Sequence, residues 1–448
     1  MIVRCTFLSL ILMVCSATCW SGEISLRVAE PSQIARDNWP VTSGVPFARG
    51  ALRSTNQVTL VTEDGQQLPL QTEVLSSWPD GSIRWLLLDF AITLSPGENV
   101  PLKLRFNESF DSPVLEDPLE VLDSPESITL LTGPLKIKLL KASLRLFEYV
   151  WLDRNRDGVF ADDESISEGQ TARLELRTPD GTIFRADSNV SDWRMEQSGP
   201  QRACLRMEGD HTGPSGKRFR YVVRLHAFRG QPFVRLHYTF INNNKPVLMS
   251  RIKSLELVFP FHKRSGPIEV LLDGSRSLGT RLLQIDDRQF TINGQLTGKR
   301  AAGWAAMGDD TGGMAVGVRN FWQNWPKSLS VERGMKNLDS VELRVGICPR
   351  LPQGLYGRKS IQEESKLYFY LRDGVYTFKI GMARTHELHL RFLSNQPDRK
   401  KLNEFFQIAN QPLLAQCSPE HIYKTGAAGP LPPANPEKYL RYDAWINA

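Results

Sequence analysis

The chain has 448 residues, of which 41% are hydrophobic and 23% charged, a globular composition with room for two or three domains. The net charge is +6, but the lysines and arginines are scattered without a dense basic run, which argues against nucleic acid as a partner. No run of apolar residues reaches the length needed to span a membrane as a helix, so no transmembrane segment is expected.

Residues 1–21 read as a secretory signal. Arg4 gives the basic start, Phe7 to Val14 the apolar run, and Ser16, Ala17, Thr18 and Ser21 the small residues near a cleavage point. The expected location is therefore secreted, periplasmic or cell-surface. Three of the six cysteines fall in this leader. The remaining Cys204, Cys348 and Cys417 are too few and too far apart for a disulfide framework or a metal site, and read as buried thiols.

Residues 23–107 form a first unit of strands: ISLRV, QVTLVTEDGQQLPLQ, SIRWLLLDFAI and VPLKLRF. Asp64-Gly65 marks a hairpin, and Pro79-Asp80-Gly81 a second turn. Ser82 to Phe90 is almost continuously apolar, as in a strand of a small closed barrel. Residues 108–126, rich in Pro, Asp, Glu and Ser, read as a linker. Residues 127–395 are strand after strand, separated by turn signals, which predicts a large antiparallel β-sandwich. Helical periodicity enters only at Arg399 to Ala415, where Leu402, Phe405, Phe406 and Ala409 share a face. The fold class is thus all-β, with a short helical or irregular tail over 396–448.

The stretch Val316–Glu332 organises the second unit. It reads as a strand, a corner holding Phe321, Trp322, Trp325 and Pro326, and another strand. Trp322 and Trp325 serve either as core plugs or as flat platforms for a sugar ring.

One motif points to a metal. Asp153, Asn155, Asp157, Gly158 and Glu164 fit the D-x-[DN]-x-[DN]-G-x5-E calcium loop, with the carbonyl of Val159 as a further ligand. The preceding LFEYVWL is strand-like, so Asp162 or Asp163 competes with Glu164 for the closing position. A structural Ca2+ and a plain acidic turn are the two readings.

Several motifs together resemble one family. GVPFARG at Gly44 to Gly50, LPLQ at Leu68 to Gln71 and WPDGSIRWLLLDF at Trp78 to Phe90 are similar to the RIFT-related barrel that opens the exo-rhamnogalacturonan lyases of polysaccharide lyase family 26 and their YetA-like relatives. SGP at Ser198 to Pro200, YVVRLHAFRGQPFVRLHYTFIN at Tyr221 to Asn242, FWQNWPK at Phe321 to Lys327 and ARTHELHLRF at Ala383 to Phe392 are similar to the family's central β-sandwich. The resemblance implies an acidic, pectin-like polysaccharide as partner and β-elimination as the chemistry. It also implies an α/α toroid behind the sandwich, so residues 396–448 are expected to be either a connector toward an absent toroid or a segment docked back on the sandwich. A lyase-like enzyme with an incomplete site and a non-catalytic glycan-binding or scaffold protein both remain open.

Within that resemblance two sets of residues are candidates. If the strands Tyr221–Phe228 and Phe233–Phe240 pair through Arg229–Pro232, then His226 opposes Arg235 and Arg224 opposes His237, all on one face. Such a face is a groove for uronate carboxylates, or is neutralised from within by Glu175 or Glu208. Arg384 and His386 share a face of their own strand and suit carboxylate neutralisation and proton abstraction; the alternative is a solvated sheet face.

Overall fold

The computed structural model describes residues 21–446, apart from 111, 112, 114, 188, 189, 246, 274–278, 335–339, 357–370 and 372. The expected leader, through residue 20, lies outside the described residues.

Seven strands build the first domain: β1 (Gly22–Ala29), β2 (Arg36–Pro46), β3 (Val58–Thr62), β4 (Gln67–Leu68), β5 (Gln71–Ser77), β6 (Ile83–Leu94) and β7 (Asn99–Phe106). They form two antiparallel sheets, one ordered β1-β7-β3-β4 and the other β2-β6-β5. The turns fall where the sequence places them. Gly65 and Gly81 both have φ near +80° (86° and 81°), a conformation glycine adopts without the Cβ clash. Alternate residues of β1, β2, β6 and β7 (Leu26, Val28, Val41, Val45, Leu86, Leu88, Leu102 and Leu104) fill the barrel interior.

The sandwich follows. Its largest sheet has 16 strands among the described residues, and a separate five-stranded sheet runs from Glu120–Asp123 to Ser165–Glu168. The segment 108–126 is therefore not all linker: Glu120–Asp123 pairs with Ser127–Leu131, and Leu119 beside it is buried. The central part of the large sheet is ordered Gly312–Val318, Ala383–Leu393, Phe233–Ile241, Gly216–Phe228 and Arg202–Gly213. Period-two alternation gives these strands two different faces. Val223, Leu225, Leu236, Tyr238, Leu388 and Leu390 point into the sandwich core. The intervening residues point out, toward the barrel.

The tail does not dock on the sandwich sheet alone. Helix α1 (Arg399–Asn410) is capped by Asp398, whose side chain accepts from the N–H groups of Lys400 and Lys401. Its apolar face wedges between the domains. Phe405 meets Trp39 of the barrel and Phe233 of the sandwich at 5.9 and 5.2 Å between ring centroids, and Phe406 stacks on Trp304 at 5.7 Å. Gly317 makes this approach possible, since a Cβ there would sit 2.3 Å from the Phe406 ring. Beyond α1 the chain returns to the barrel. Ala415–Cys417 adds a strand to the edge of β1, the Arg84 guanidinium donates to the Ala427 carbonyl, and His421 bonds the Pro46 carbonyl at 3.0 Å.

Arg36 locks this junction. It is fully buried and pairs with Glu30 at 3.1 Å, while its Nη1 and Nη2 donate to the Ile408 and Gln411 carbonyls at the C-terminus of α1, 3.2 and 2.7 Å away. A cation there also complements the helix dipole. Burial alone raises the Glu30 pKa, but hydrogen bonds from the Ser32 hydroxyl and N–H, the Gly97 N–H and Arg36 outweigh it and hold the carboxyl at about 2. Arg36→Ala leaves the Glu30 carboxylate buried without its counter-charge and is expected to cost about 3–5 kcal/mol in urea unfolding, with earlier proteolysis near α1. Because the folded pKa is depressed, the Glu30 contribution is complete above pH 4.5 and is lost as pH falls from there to about 2. An acid titration of Tm in wild type and in Glu30→Gln should differ in that window.

Candidate functional site

The outward face of the central sheet carries the charges. The pairing is the one the sequence predicts: Arg224 opposes His237 and His226 opposes Arg235. The neighbouring strands extend the rows. Glu387 lies beside His237 and His389 beside Arg235; on the other side Arg206 lies beside Arg224 and Cys204 beside His226.

Of the two carboxylates expected to balance this face, Glu208 does so, pairing with Arg206 and Arg220, whereas Glu175 is on another strand of the sheet, paired with Arg173 and Arg185. Two further balancing groups are Glu196 and Glu387. Glu196 takes the Arg224 fork at 2.6 and 2.9 Å. Glu387 accepts from Arg319 Nη1 at 2.9 Å and His389 Nε2 at 3.0 Å, with His237 Nε2 3.6 Å away. Burial alone raises the Glu387 pKa, but bonds from His237 and His389, and the charge of Arg235, hold it well below the usual carboxylate range.

The barrel supplies the other wall. Asp89 of β6 accepts from Thr42 at 2.6 Å and from Arg202 Nε at 2.7 Å. Gln71 of β5 pins the domains together, accepting from the N–H groups of Gln201 and Arg202 at 3.0 and 2.9 Å. Arg202 Nη1 lies 3.1 Å from His226 Nδ1. A guanidinium can only donate, so that nitrogen accepts and the ring is neutral. Burial, reinforced by Arg235, His237 and Arg202, pushes the His226 pKa far down in agreement.

Arg235 is the exception on this face. It is half-buried and stacks over Phe228 at 5.1 Å, and no carboxylate among the described residues comes within ion-pair distance of it. Its Nε has no hydrogen-bond partner, and neither has Oδ2 of the buried Asp89. Its neighbours Arg319 and His237 keep 29% and 28% of their side chains in solvent, so the edge of the face is reachable.

The expected catalytic pair is separated from all this. His386 has the parity of Leu388 and Leu390, and so lies on the inward face, 5% exposed and stacked on Phe240. Burial, then the charges of Lys327 and Arg384, drives its pKa well down. A ring enclosed in the core cannot reach a substrate bound on the other side of the sheet. Arg384, at the exposed end of the same strand, donates to Asn324 Oδ1 at 2.5 Å. The tryptophan corner forms as predicted, between the strands Gly312–Val318 and Lys327–Arg333. Trp325 packs against the sandwich core, and Arg300 covers the Trp322 ring at 3.9 Å. The corner's contribution to the charged face is instead Arg319.

The 153–164 loop is closed by its own hydrogen bonds. Asp153 accepts from the N–H groups of Arg156 and Gly158 at 2.6 and 2.9 Å. Asp157 accepts from the Val159 N–H at 2.8 Å and from the Asn155 amide at 2.9 Å. Glu164 accepts from the N–H groups of Arg154 and Ala161 at 2.7 and 3.3 Å. Among the described residues no three acidic, histidine or cysteine side chains are grouped as a metal site. Cys204, Cys348 and Cys417 are free thiols, the first two buried.

Comparison with known proteins places the chain. The sequence patterns of the PcRGLX-like N-terminal RIFT barrel domain match residues 26–104, and those of the PcRGLX-like central beta sandwich domain match 119–262 and 288–346. The chain belongs to the PcRGLX-like family. It is 21% identical over 453 residues to the uncharacterized protein YetA of Bacillus subtilis strain 168, covering 87% of this chain and 52% of the relative. The chain thus spans about half the length of the curated relative it matches. Among solved structures it is similar to a glycosyl hydrolase family 38 protein from Enterococcus faecalis, with a TM-score of 0.49, 10% identity and coverage of 88% of this chain and 47% of that one. It is also similar to a putative aldose 1-epimerase from Klebsiella pneumoniae, with a TM-score of 0.38, 10% identity and coverage of 82% and 95%.

Two outcomes follow from this geometry. Glu387→Gln removes the shared counter-charge of Arg319, His237 and His389 and is expected to lower stability by about 3–5 kcal/mol in denaturant unfolding. Chelator and millimolar calcium decide between the two readings of the 153–164 loop: a bound ion at 100 times its Kd adds about 2.7 kcal/mol and raises Tm, whereas a plain acidic turn leaves Tm unchanged.

Proposed function

We propose that this PcRGLX-like protein works outside the cytoplasm on acidic, pectin-like polysaccharide, and that its two β domains recognise the uronate carboxylates. The observation that supports this reading most directly is Arg235: a guanidinium with no carboxylate at ion-pair distance among the described residues, on a face where Arg202, Arg224 and Arg319 each have one. A uronate carboxylate supplies the missing charge and accepts a forked pair of N–H bonds, which a neutral sugar does not. The leader expected at residues 1–21 and the family's lyase members agree with an extracellular glycan as partner.

Family membership also favours a catalytic reading, β-elimination on the bound uronate. That chemistry needs the carboxylate neutralised and a base for the proton beside it. Arg235 suits the first task. His237, two residues along the same strand and on the same face, suits the second better than the enclosed His386.

Retention on immobilised rhamnogalacturonan, but not on a neutral glucan, is the expected result. Arg235→Ala should weaken retention about tenfold or more, as expected for loss of a charge-assisted hydrogen bond. Ultraviolet absorbance from unsaturated uronic products, abolished in His237→Ala, would establish the lyase; retention without product would establish the binder. Absence of both retention and product would overturn the proposal.

A further inference from the structure

A second polar site lies far along the chain from the Arg235 face. The segment Asp162–Gln170, together with Arg264 and Thr311 from two neighbouring turns, borders an open crevice of about 500 Å³. This is within the size range of small-molecule sites. Asp162, Asp163, Ser165, Glu168, Arg264 and Thr311 line it. Its frame is rigid. Asp309, fully buried, accepts from the N–H groups of Arg264 and Ser265 at 2.6 and 3.1 Å with one oxygen, and from the Thr311 N–H and hydroxyl at 2.9 and 2.7 Å with the other. Gln170 is held by the His262 N–H at 3.0 Å.

Thr311 is engaged by the frame, but the charged lining groups are not paired. Among the described residues, no cation lies within ion-pair distance of the exposed Asp162, Asp163 or Glu168 carboxylates, and Arg264 feels the Asp309 and Glu168 charges without a hydrogen bond from its guanidinium. The floor holds a second, independent sign of a ligand. Ser165 is 2% exposed, and among the described residues its hydroxyl has no hydrogen-bond partner. A buried hydroxyl without a partner is costly unless something supplies the bond.

The chemistry of the lining selects the class of ligand. Three carboxylates against one guanidinium repel a uronate. The carboxylates do not converge as a metal-holding group, and the space far exceeds a single ion. A ring bearing several hydroxyls matches both features. Adjacent hydroxyls donate to the carboxylates and accept from Arg264, and one reaches the Ser165 hydroxyl.

We propose that this crevice binds a neutral sugar residue through its hydroxyls. The proposal rests on the reading that the protein engages polysaccharide, and extends it: one site takes the charged residues of the polymer and another takes uncharged ones.

The test uses the full chain and a panel of neutral methyl glycosides of hexoses and 6-deoxyhexoses, with galacturonate and calcium chloride as controls. Saturation-transfer NMR and titration calorimetry provide the readout. A neutral glycoside should bind, with affinity reduced about tenfold by Glu168→Gln and by Ser165→Ala and unchanged by Arg235→Ala. Asp163→Asn, at an exposed position, provides a further variant should Ser165→Ala fail to fold. Failure of every neutral glycoside to bind, binding indifferent to these variants, or saturation by calcium alone would overturn the site. Because Arg235→Ala reports on the acidic polymer and Glu168→Gln on the neutral glycoside, the two sites fail separately.

Discussion

Charged side chains on a sheet face that a second domain covers must find partners there, because water is no longer available to screen them. The central sheet of this protein is built around that constraint. Among the described residues its inner face is largely apolar, with His211, His386 and a few tyrosines as polar members. Its outer face carries arginines and histidines in rows, and the barrel lies against it through Gln71 and Asp89. Glu196 and Glu387 answer most of these cations. Arg202 is answered from the other domain, so domain docking and charge neutralisation are one event.

This arrangement makes Arg235 informative. A lone surface arginine carries no message, since solvent satisfies it. Arg235 is half-buried, backed by the Phe228 ring, and lies in the field of Arg202 and Arg319 on one side and Glu387 and Asp89 on the other, with none of these carboxylates at ion-pair distance. The proposed uronate site rests on that unpaired guanidinium. The proposal for the Ser165 crevice rests on the same kind of observation, an unpaired buried group.

The barrel stays in place through the tail. Helix α1 fills the junction with Phe405 and Phe406, Arg36 ties its last carbonyls to the barrel, and Ala415–Cys417 extends the barrel's own sheet. Residues almost 400 positions apart therefore complete one core. Disturbing Arg36 should accordingly be felt at the Arg235 face, although Arg36 does not touch it; Gly317 lies in the same row, paired with His389.

Local pattern determined a great deal. Alternation, turn residues and the helical face of Leu402, Phe405 and Phe406 were enough for the two β domains, the register of His226 with Arg235, and the corner at Phe321–Pro326. These depend on neighbours along the chain or across one short turn, and there the sequence is explicit. It could not show that the strand Ala383–Leu393 lies beside Phe233–Ile241, some 150 residues earlier, and so could not name Glu387 as a counter-charge or exclude Glu175. Nor could it say which side of that strand is the core. HELH alternates equally well in either sense, and only packing against Phe240 turns His386 inward and leaves Glu387 and His389 with the cations. The 153–164 loop is legible in its shape alone: the spacing of Asp153, Asp157 and Gly158 gives a turn held by its own N–H groups. Tertiary structure decided these points because a charge acquires its partner, and a strand its inner face, only when distant segments come together.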